Sequence, residues 1–171
     1  MNFIYLRYGL IALFLILGVV LHLQLGISQA WYLYAAAALL ILSHLFLGNV
    51  WQAFSMLKRG KPAKAEKMLG HTWAPGLLLK SNRAYYYFTQ GMLHLQREEL
   101  DTARPLLEQA TQLQLRYAND NALAHLNLAH IHFVQKNKTE AAQHLATAKS
   151  FEPTDLMIKD NLEKMQQALS R

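Results

Sequence analysis

Cysteine is absent from all 171 residues. That removes disulfides, thiolate metal ligands and a thiol nucleophile, and it leaves the compartment open. Carboxylates are missing from both of the long apolar runs near the N-terminus, so neither run can carry a proton relay. No glycine-rich phosphate loop is present. Ser81 and Ser150 have no His/Asp partners in view, and Glu98, Glu99 and Asp101 cluster in a polar turn where solvated charges are ordinary. No catalytic residue, cofactor or metal is therefore assigned, and the chain is not expected to be an enzyme. A membrane enzyme would need a polar pocket joining the apolar helices to Arg83, Tyr85 or His94.

What is present first is apolar length. Tyr8 to Leu25 is nearly free of polar side chains until His22 and Gln24, and Trp31 to Trp51 forms a second run whose polar members are Ser43, His44 and Asn49. About eighteen to twenty apolar residues suffice to cross a bilayer. The expectation is a transmembrane helical hairpin over 1–57, with spans at about 8–26 and 31–51 and a turn at Gly26–Ala30. A cleaved signal peptide is the competing reading of the first run, but a second run follows the Ser28–Ala30 region at once.

Charge orients the hairpin. Lys58, Arg59, Lys61, Lys64, Lys67, Lys80 and Arg83 face Glu66 alone across residues 58–83, whereas 84–171 hold nine basic and ten acidic residues. The net charge of +6 is thus local, which argues against a general nucleic-acid binder. With Arg7 before the first span and none in the turn, both termini are expected in the cytoplasm, as in a bacterial inner-membrane protein. Lys58, Arg59, Lys61, Lys64 and Lys67 form a basic patch suited to anionic lipid headgroups. Trp31, Tyr32 and Tyr34 suit the outer interface and Trp51 the inner one. His44, placed at depth by these boundaries, is read as a neutral imidazole bonded across the hairpin rather than as a functional group.

Beyond the hairpin the chain repeats itself. Gly91, Ala103 and Ala110 recur as Ala129, Ala141 and Ala148, each 38 residues later. Between them run apolar faces at three- and four-residue spacing, separated by turns at Glu98–Asp101 and before Thr139. Shifting back by 38 sets Ala65 on Ala103, Leu69 on Leu107 and Thr72 on Ala110. That points to an imperfect first copy, in which the second membrane helix runs on to about Leu57, turns at Gly60–Pro62 and returns from Ala63 to Leu69; the alternative is a plain basic juxtamembrane helix and linker over 58–83. Pro62 fits a first helical turn. Asn119, Asp120 or Asn121 would cap the second hairpin's first helix, and Thr154 or Asp155 a last helix through Leu169. That helix presents Leu156, Ile158, Leu162, Met165 and Leu169. A helical hairpin cannot bury its own apolar face, so such units stack.

These small residues, with Leu128 before Ala129 and Pro153 at the close, resemble the tetratricopeptide repeat family over 84–169, and in less regular form over 46–83. Tyr87 and His125 stand where that family often has tryptophan, and His94 and His132 where it often has tyrosine. The resemblance implies an all-α superhelical stack with a C-terminal capping helix, in a cytoplasmic domain over 84–171. It also implies a groove for a protein, peptide or helix, lined by Tyr85, Phe88, Met92, Leu95, Leu123, Leu126, Asn127, His130 and Phe133. Asn127 matches a position that clamps a terminal carboxylate in some members, without the accompanying basic residues here. His125, His130, His132 and His144 lack a shared face with a third ligand, so zinc is not expected. The functional expectation is a membrane-anchored interaction scaffold for an envelope complex. The alternative is a small structural subunit of an integral membrane complex, with Ser43, His44 and Asn49 packed on other transmembrane subunits.

Overall fold

A computed structural model describes residues 3–170, with side chains from Leu6 onward. The described residues form nine α-helices and no strand: α1 (Phe3–Leu25), α2 (Ile27–Leu47), α3 (Val50–Lys58), α4 (Pro62–Leu69), α5 (Lys80–Gln96), α6 (Leu100–Leu113), α7 (Ala118–Val134), α8 (Lys138–Ser150) and α9 (Leu156–Leu169). One short 3₁₀ turn, Pro75–Leu77, precedes α5. The chain is all-α, as its periodicity implies. The placement of Met1, Asn2 and Arg171, and so of the expected cytoplasmic ends, lies outside the described residues.

Helices α1 and α2 make a hairpin on a tighter turn than expected, since Gly26 alone separates them, at φ +86°. A positive φ of this kind costs glycine little. The two helices approach closely at Gly18, where a Cβ would lie 3.0 Å from the Tyr34 ring. Across the hairpin's other end Arg7 Nη1 lies 3.2 Å from His44 Nδ1, and His44 Nε2 lies 3.0 Å from the His71 carbonyl. Nδ1 therefore accepts and Nε2–H donates, so a single proton on the ring satisfies both bonds.

The expected run of the second apolar helix to Leu57 is corrected. Helix α2 stops at Leu47, and a separate α3 begins at Val50. Gly48 takes φ +59° with Leu78 pressed against it, where a Cβ would stand 2.9 Å from Leu78 Cδ2. The freed carbonyls are claimed by α5: Leu79 N–H donates to Phe46 O at 2.9 Å, and Asn82 Nδ2 donates to Leu47 O at 2.8 Å. The second apolar helix covers Ile27–Leu47 rather than the expected 31–51, and His44 falls in its last turn.

Three antiparallel pairs follow, α3/α4, α5/α6 and α7/α8, then the single α9. The same turn closes each pair. Gly60, Glu98 and Lys136 take φ of 68°, 62° and 64°, at the 38-residue interval. The next residue's N–H reaches back five positions, Lys61 to Met56 O at 3.0 Å, Glu99 to His94 O at 3.0 Å and Asn137 to His132 O at 2.8 Å. Two orphan carbonyls at each helix end are satisfied in this way. Gln114 and Glu152, also left-handed, repeat the interval between pairs. Ala65, Ala103 and Ala141 are fully buried at the crossings, and Leu69, Leu107 and Leu145 fill the interior beside them. Residues 50–69 thus share the geometry of the later pairs.

One capping expectation changes and the other holds. Helix α7 begins at Ala118 behind Tyr117, with no side-chain cap, so Asn119, Asp120 and Asn121 all sit in its first turn. Asn121 instead brackets Leu115, accepting from its N–H at 3.0 Å and donating to its carbonyl at 2.8 Å. Asp155 does cap α9, accepting from Met157 and Ile158 N–H at 2.9 and 3.3 Å. Ile158 and Leu162 are buried, but Leu156 is exposed, so it leaves the expected packing face.

Gly91 is the tightest contact inside the stack: a Cβ there would sit 2.8 Å from Leu107 Cγ and 3.4 Å from Ala103 O. Overpacking of this kind costs about 1–3 kcal/mol. Gly91→Ala is expected to lower the unfolding free energy by that amount, read as a lower midpoint of thermal or denaturant unfolding. Combined with Leu107→Ala it should cost less than the two single changes summed, because the second removes the atoms the first strikes. Additive losses would place the clash elsewhere.

Candidate protein-binding groove

Helices α7 and α9 diverge around an open cleft of about 400 Å³. One wall carries Leu123, Leu126, Asn127, His130 and Phe133, with Val134 at its end, from α7; the other carries Asn161, Lys164, Met165 and Ala168 from α9. The floor is apolar because Leu126, Ala122, Leu145, Ile158 and Leu162 form one buried cluster beneath it. The rim is polar, with His130 and Lys164 exposed. The α9 wall is fixed where it starts: Asn119 Oδ1 accepts from Thr154 N–H at 2.8 Å. At its far end Lys149 Nζ donates to Gln166 Oε1.

Of the nine groove residues expected from the sequence, five line this cleft. The other four do not. Tyr85 and Phe88 are fully buried, a correction with a clear cause: α3 lies over them. Trp51 packs 4.7 Å and Phe54 5.0 Å from Tyr85, and Phe54 sits 5.8 Å from Phe88, ring centre to ring centre. The Tyr85 hydroxyl donates to Asp120 at 2.5 Å. Burial first, and then the Asp120 carboxylate, push its pKa far up, so it remains a donor. Met92 and Leu95 are partly buried against the same core.

Asn127 is occupied rather than free to clamp a carboxylate. Its Nδ2 lies 2.9 Å from Leu123 O and 3.1 Å from Met92 Sδ. The α9 wall is absent from the groove that the repeat resemblance implies, because the resemblance makes α9 a capping helix. Residues 161, 164, 165 and 168 fall at i, i+3, i+4 and i+7, the spacing of a second helical face, and that was the available signal.

The four histidines of α7 and α8 separate into two sets. His130 stands on the groove rim, while His125, His144 and His132 form a column between α7 and α8. His125 Nδ1 lies 3.1 Å from His144 Nδ1, and His144 stacks on His132 with ring centres 5.3 Å apart. His132 is buried, with its Nδ1 unpartnered. The basic patch is exposed throughout, but Lys58, Arg59 and Lys61 sit at the α3–α4 turn. Helix α3 is nine residues long, and at 1.5 Å per residue that turn stands up to about 13 Å from the end of α2. Lys58 Nζ rests 5.3 Å over the Phe54 ring, and Glu66 is engaged by Arg97 at 2.5 Å. Arg83, Tyr85 and His94 bond separate partners, Gly76 O, Asp120 and Glu99, and do not converge on one pocket.

Such paired helices, with small residues at the crossings and a cleft along the last first-helix, α7, define a helical-repeat fold of the kind that serves protein interaction. The model of the tetratricopeptide repeat family matches residues 94–160, from the end of α5 into α9, and this part of the chain resembles that family. No curated protein and no solved structure matches the chain.

The histidine column makes stability depend on pH. Burial, and then the neighbouring His144, lower His125 from the ordinary 6.5 to about 4; burial and then His132 lower His144, with Glu108 opposing. Because the folded values lie below the unfolded one, the unfolded chain takes up protons first. Stability is full above about pH 6.5 and falls as pH drops toward 4. The pair should lose on the order of 1–2 kcal/mol over that window after allowance for partial exposure. Thermal unfolding at pH 7.5 and 4.5 in the parent and in His125→Gln/His144→Gln checks this: the double variant should show the smaller drop. An equal drop would put the titration in other groups.

Proposed function

We propose that this chain is a membrane-anchored interaction scaffold, with α1–α2 crossing a bilayer and the α7–α9 cleft receiving a helix or extended segment of a partner protein. The repeat-like stack and its cleft carry the binding half of this reading: an apolar floor with a polar rim suits an amphipathic helix laid into a groove. Two helices long and apolar enough to cross a membrane support the anchoring half. Only 6% and 17% of their apolar windows are buried within the chain, which argues against core helices of a soluble protein. At 1.5 Å per residue, the 21 residues of α2 span about 31 Å, close to the hydrocarbon thickness. A cleaved leader would have little reason to share bonds with the rest of the chain, yet α1 packs Gly18 under Tyr34 and brings Arg7 to His44. The excess of Lys and Arg after α2 supports a cytoplasmic side for the stack. Assembly or regulation of an envelope complex is the role such a scaffold fills, with anionic lipid meeting the basic residues of α3–α4.

Of the three contacts named for the structural-subunit alternative, His44 and Asn49 are buried within this chain and Ser43 alone stays partly exposed, which weakens that reading.

Photoreactive groups at His130 and Val134 in intact membranes test the binding half. The expected result is one discrete protein captured at both positions, with capture reduced at least about tenfold by Ala168→Trp, which fills the cleft and removes some 1.4 kcal/mol of binding. Capture of α9 alone, or capture indifferent to Ala168→Trp, would overturn the groove. Capture of another membrane protein only from probes on α1 or α2 would favour the structural subunit.

A further inference from the structure

The segment between α4 and α5 has a pattern that the stack does not use. Trp73, Leu77 and Leu79 are 60%, 53% and 53% exposed, while Leu78 between them is buried at 3%. One leucine anchors the segment and its neighbours face outward. The outward face is not adrift, because Trp73 packs 4.8 Å from His44 and stacks 6.2 Å from Tyr8, ring centre to ring centre. Leu79 N–H is bonded to Phe46 O, and Arg83 Nη1 donates to Gly76 O at 3.2 Å, bracing the 3₁₀ turn. The segment is therefore held level with the last turn of α2, where Phe46 and Leu47 are themselves 42% and 43% exposed.

We infer that residues 73–79 form an interfacial wedge, lodged by Trp73, Leu77 and Leu79 in the headgroup and upper acyl region of the cytoplasmic leaflet. This rests on the reading of α1–α2 as membrane-spanning. If the roughly 31 Å of α2 fills the hydrocarbon layer, the inner boundary falls at Phe46–Leu47, the level at which the wedge is fixed. Tryptophan and tyrosine favour that depth because each joins an apolar ring to a polar edge, and Trp73 and Tyr8 stack there. Arg7, Lys80 and Arg83 surround the wedge with positive charge and no carboxylate follows Glu66 until Glu98, which matches anionic headgroups. A second protein would have to displace lipid from a face already continuous with the hairpin's own lipid-facing surface. The wedge adds a third point of contact to the two helices, so the stack cannot swing about Gly48.

The three tryptophans, 31, 51 and 73, supply the test. Full-length chains keeping only Trp31 or only Trp73, the others changed to phenylalanine, are reconstituted in phosphatidylcholine–phosphatidylglycerol vesicles. The acyl chains are brominated either just below the glycerol or near their ends. The expected result is loss of emission from both proteins, with Trp73 quenched more strongly by the shallow bromine. Trp31 quenched while Trp73 is untouched would overturn the wedge and leave the anchoring intact; neither quenched would overturn both. Since the chain has no cysteine, a nitroxide at Leu77→Cys gives an independent reading that spares the tryptophans. It should collide more with oxygen than with a water-soluble nickel chelate, and the reverse order would also overturn the wedge.

Discussion

The end of α2 is the constraint on which the other placements depend. A helix end leaves carbonyls without partners, and here the end falls next to an apolar surface where an unpaired carbonyl is costly. Phe46 O and Leu47 O are satisfied by Leu79 N–H and Asn82 Nδ2, from a segment more than thirty residues further on. This fixes α5 against the hairpin. Gly48, left-handed and pressed by Leu78, admits the sharp exit that α3 needs to fold back along α5. Hairpin and stack are therefore one construction at this point.

The fold-back decides where a groove exists. A helical pair buries one face against its successor and one against its predecessor. Helix α3, arriving from the hairpin, lays Trp51 and Phe54 over Tyr85 and Phe88. The first half of the expected concave surface is consumed as core by this contact. Only past α6 does a first helix, α7, meet a partner that does not cover it fully. The cleft stays open because α9 contacts α7 through Ile158 and Leu162 and leaves its 161–168 edge facing Phe133 and His130.

Much of this was legible in the residues. The 38-residue interval was visible because helix crossings admit only small side chains, and Gly91, Ala103, Ala129 and Ala141 mark them. The turns were harder to see: Gly60 announces its left-handed conformation, while Glu98 and Lys136 adopt it without glycine's signature. The break at Gly48 was hidden for a related reason, since apolar residues continue through Leu47, Val50 and Trp51 and hydropathy does not register a change of backbone direction. Tyr85 and Phe88 occupy the groove phase of their helix, and nothing in that phase reveals that α3 sits on it. Position within a repeat is a local property; which repeat face is covered is a property of the neighbours.

The order of the parts then bears on what the cleft can reach. Neighbouring helix axes pack 8–10 Å apart. The succession α3, α5, α7 therefore sets the cleft roughly 20 Å from the helix that leaves the hairpin. The intervening pairs are built as spacers, with buried alanines and leucines at matched positions, and the Tyr85–Asp120 bond ties the second turn of α5 to the first turn of α7. A flexible linker would let the cleft sample a volume; this arrangement holds it at one offset and one orientation. Breaking the Tyr85–Asp120 bond leaves a buried carboxylate without its donor, so the spacer resists bending where bending would displace the cleft most. On the proposed reading, so small an apolar floor would gain little from area alone, and a fixed position would raise its effective concentration for a partner held in the same membrane.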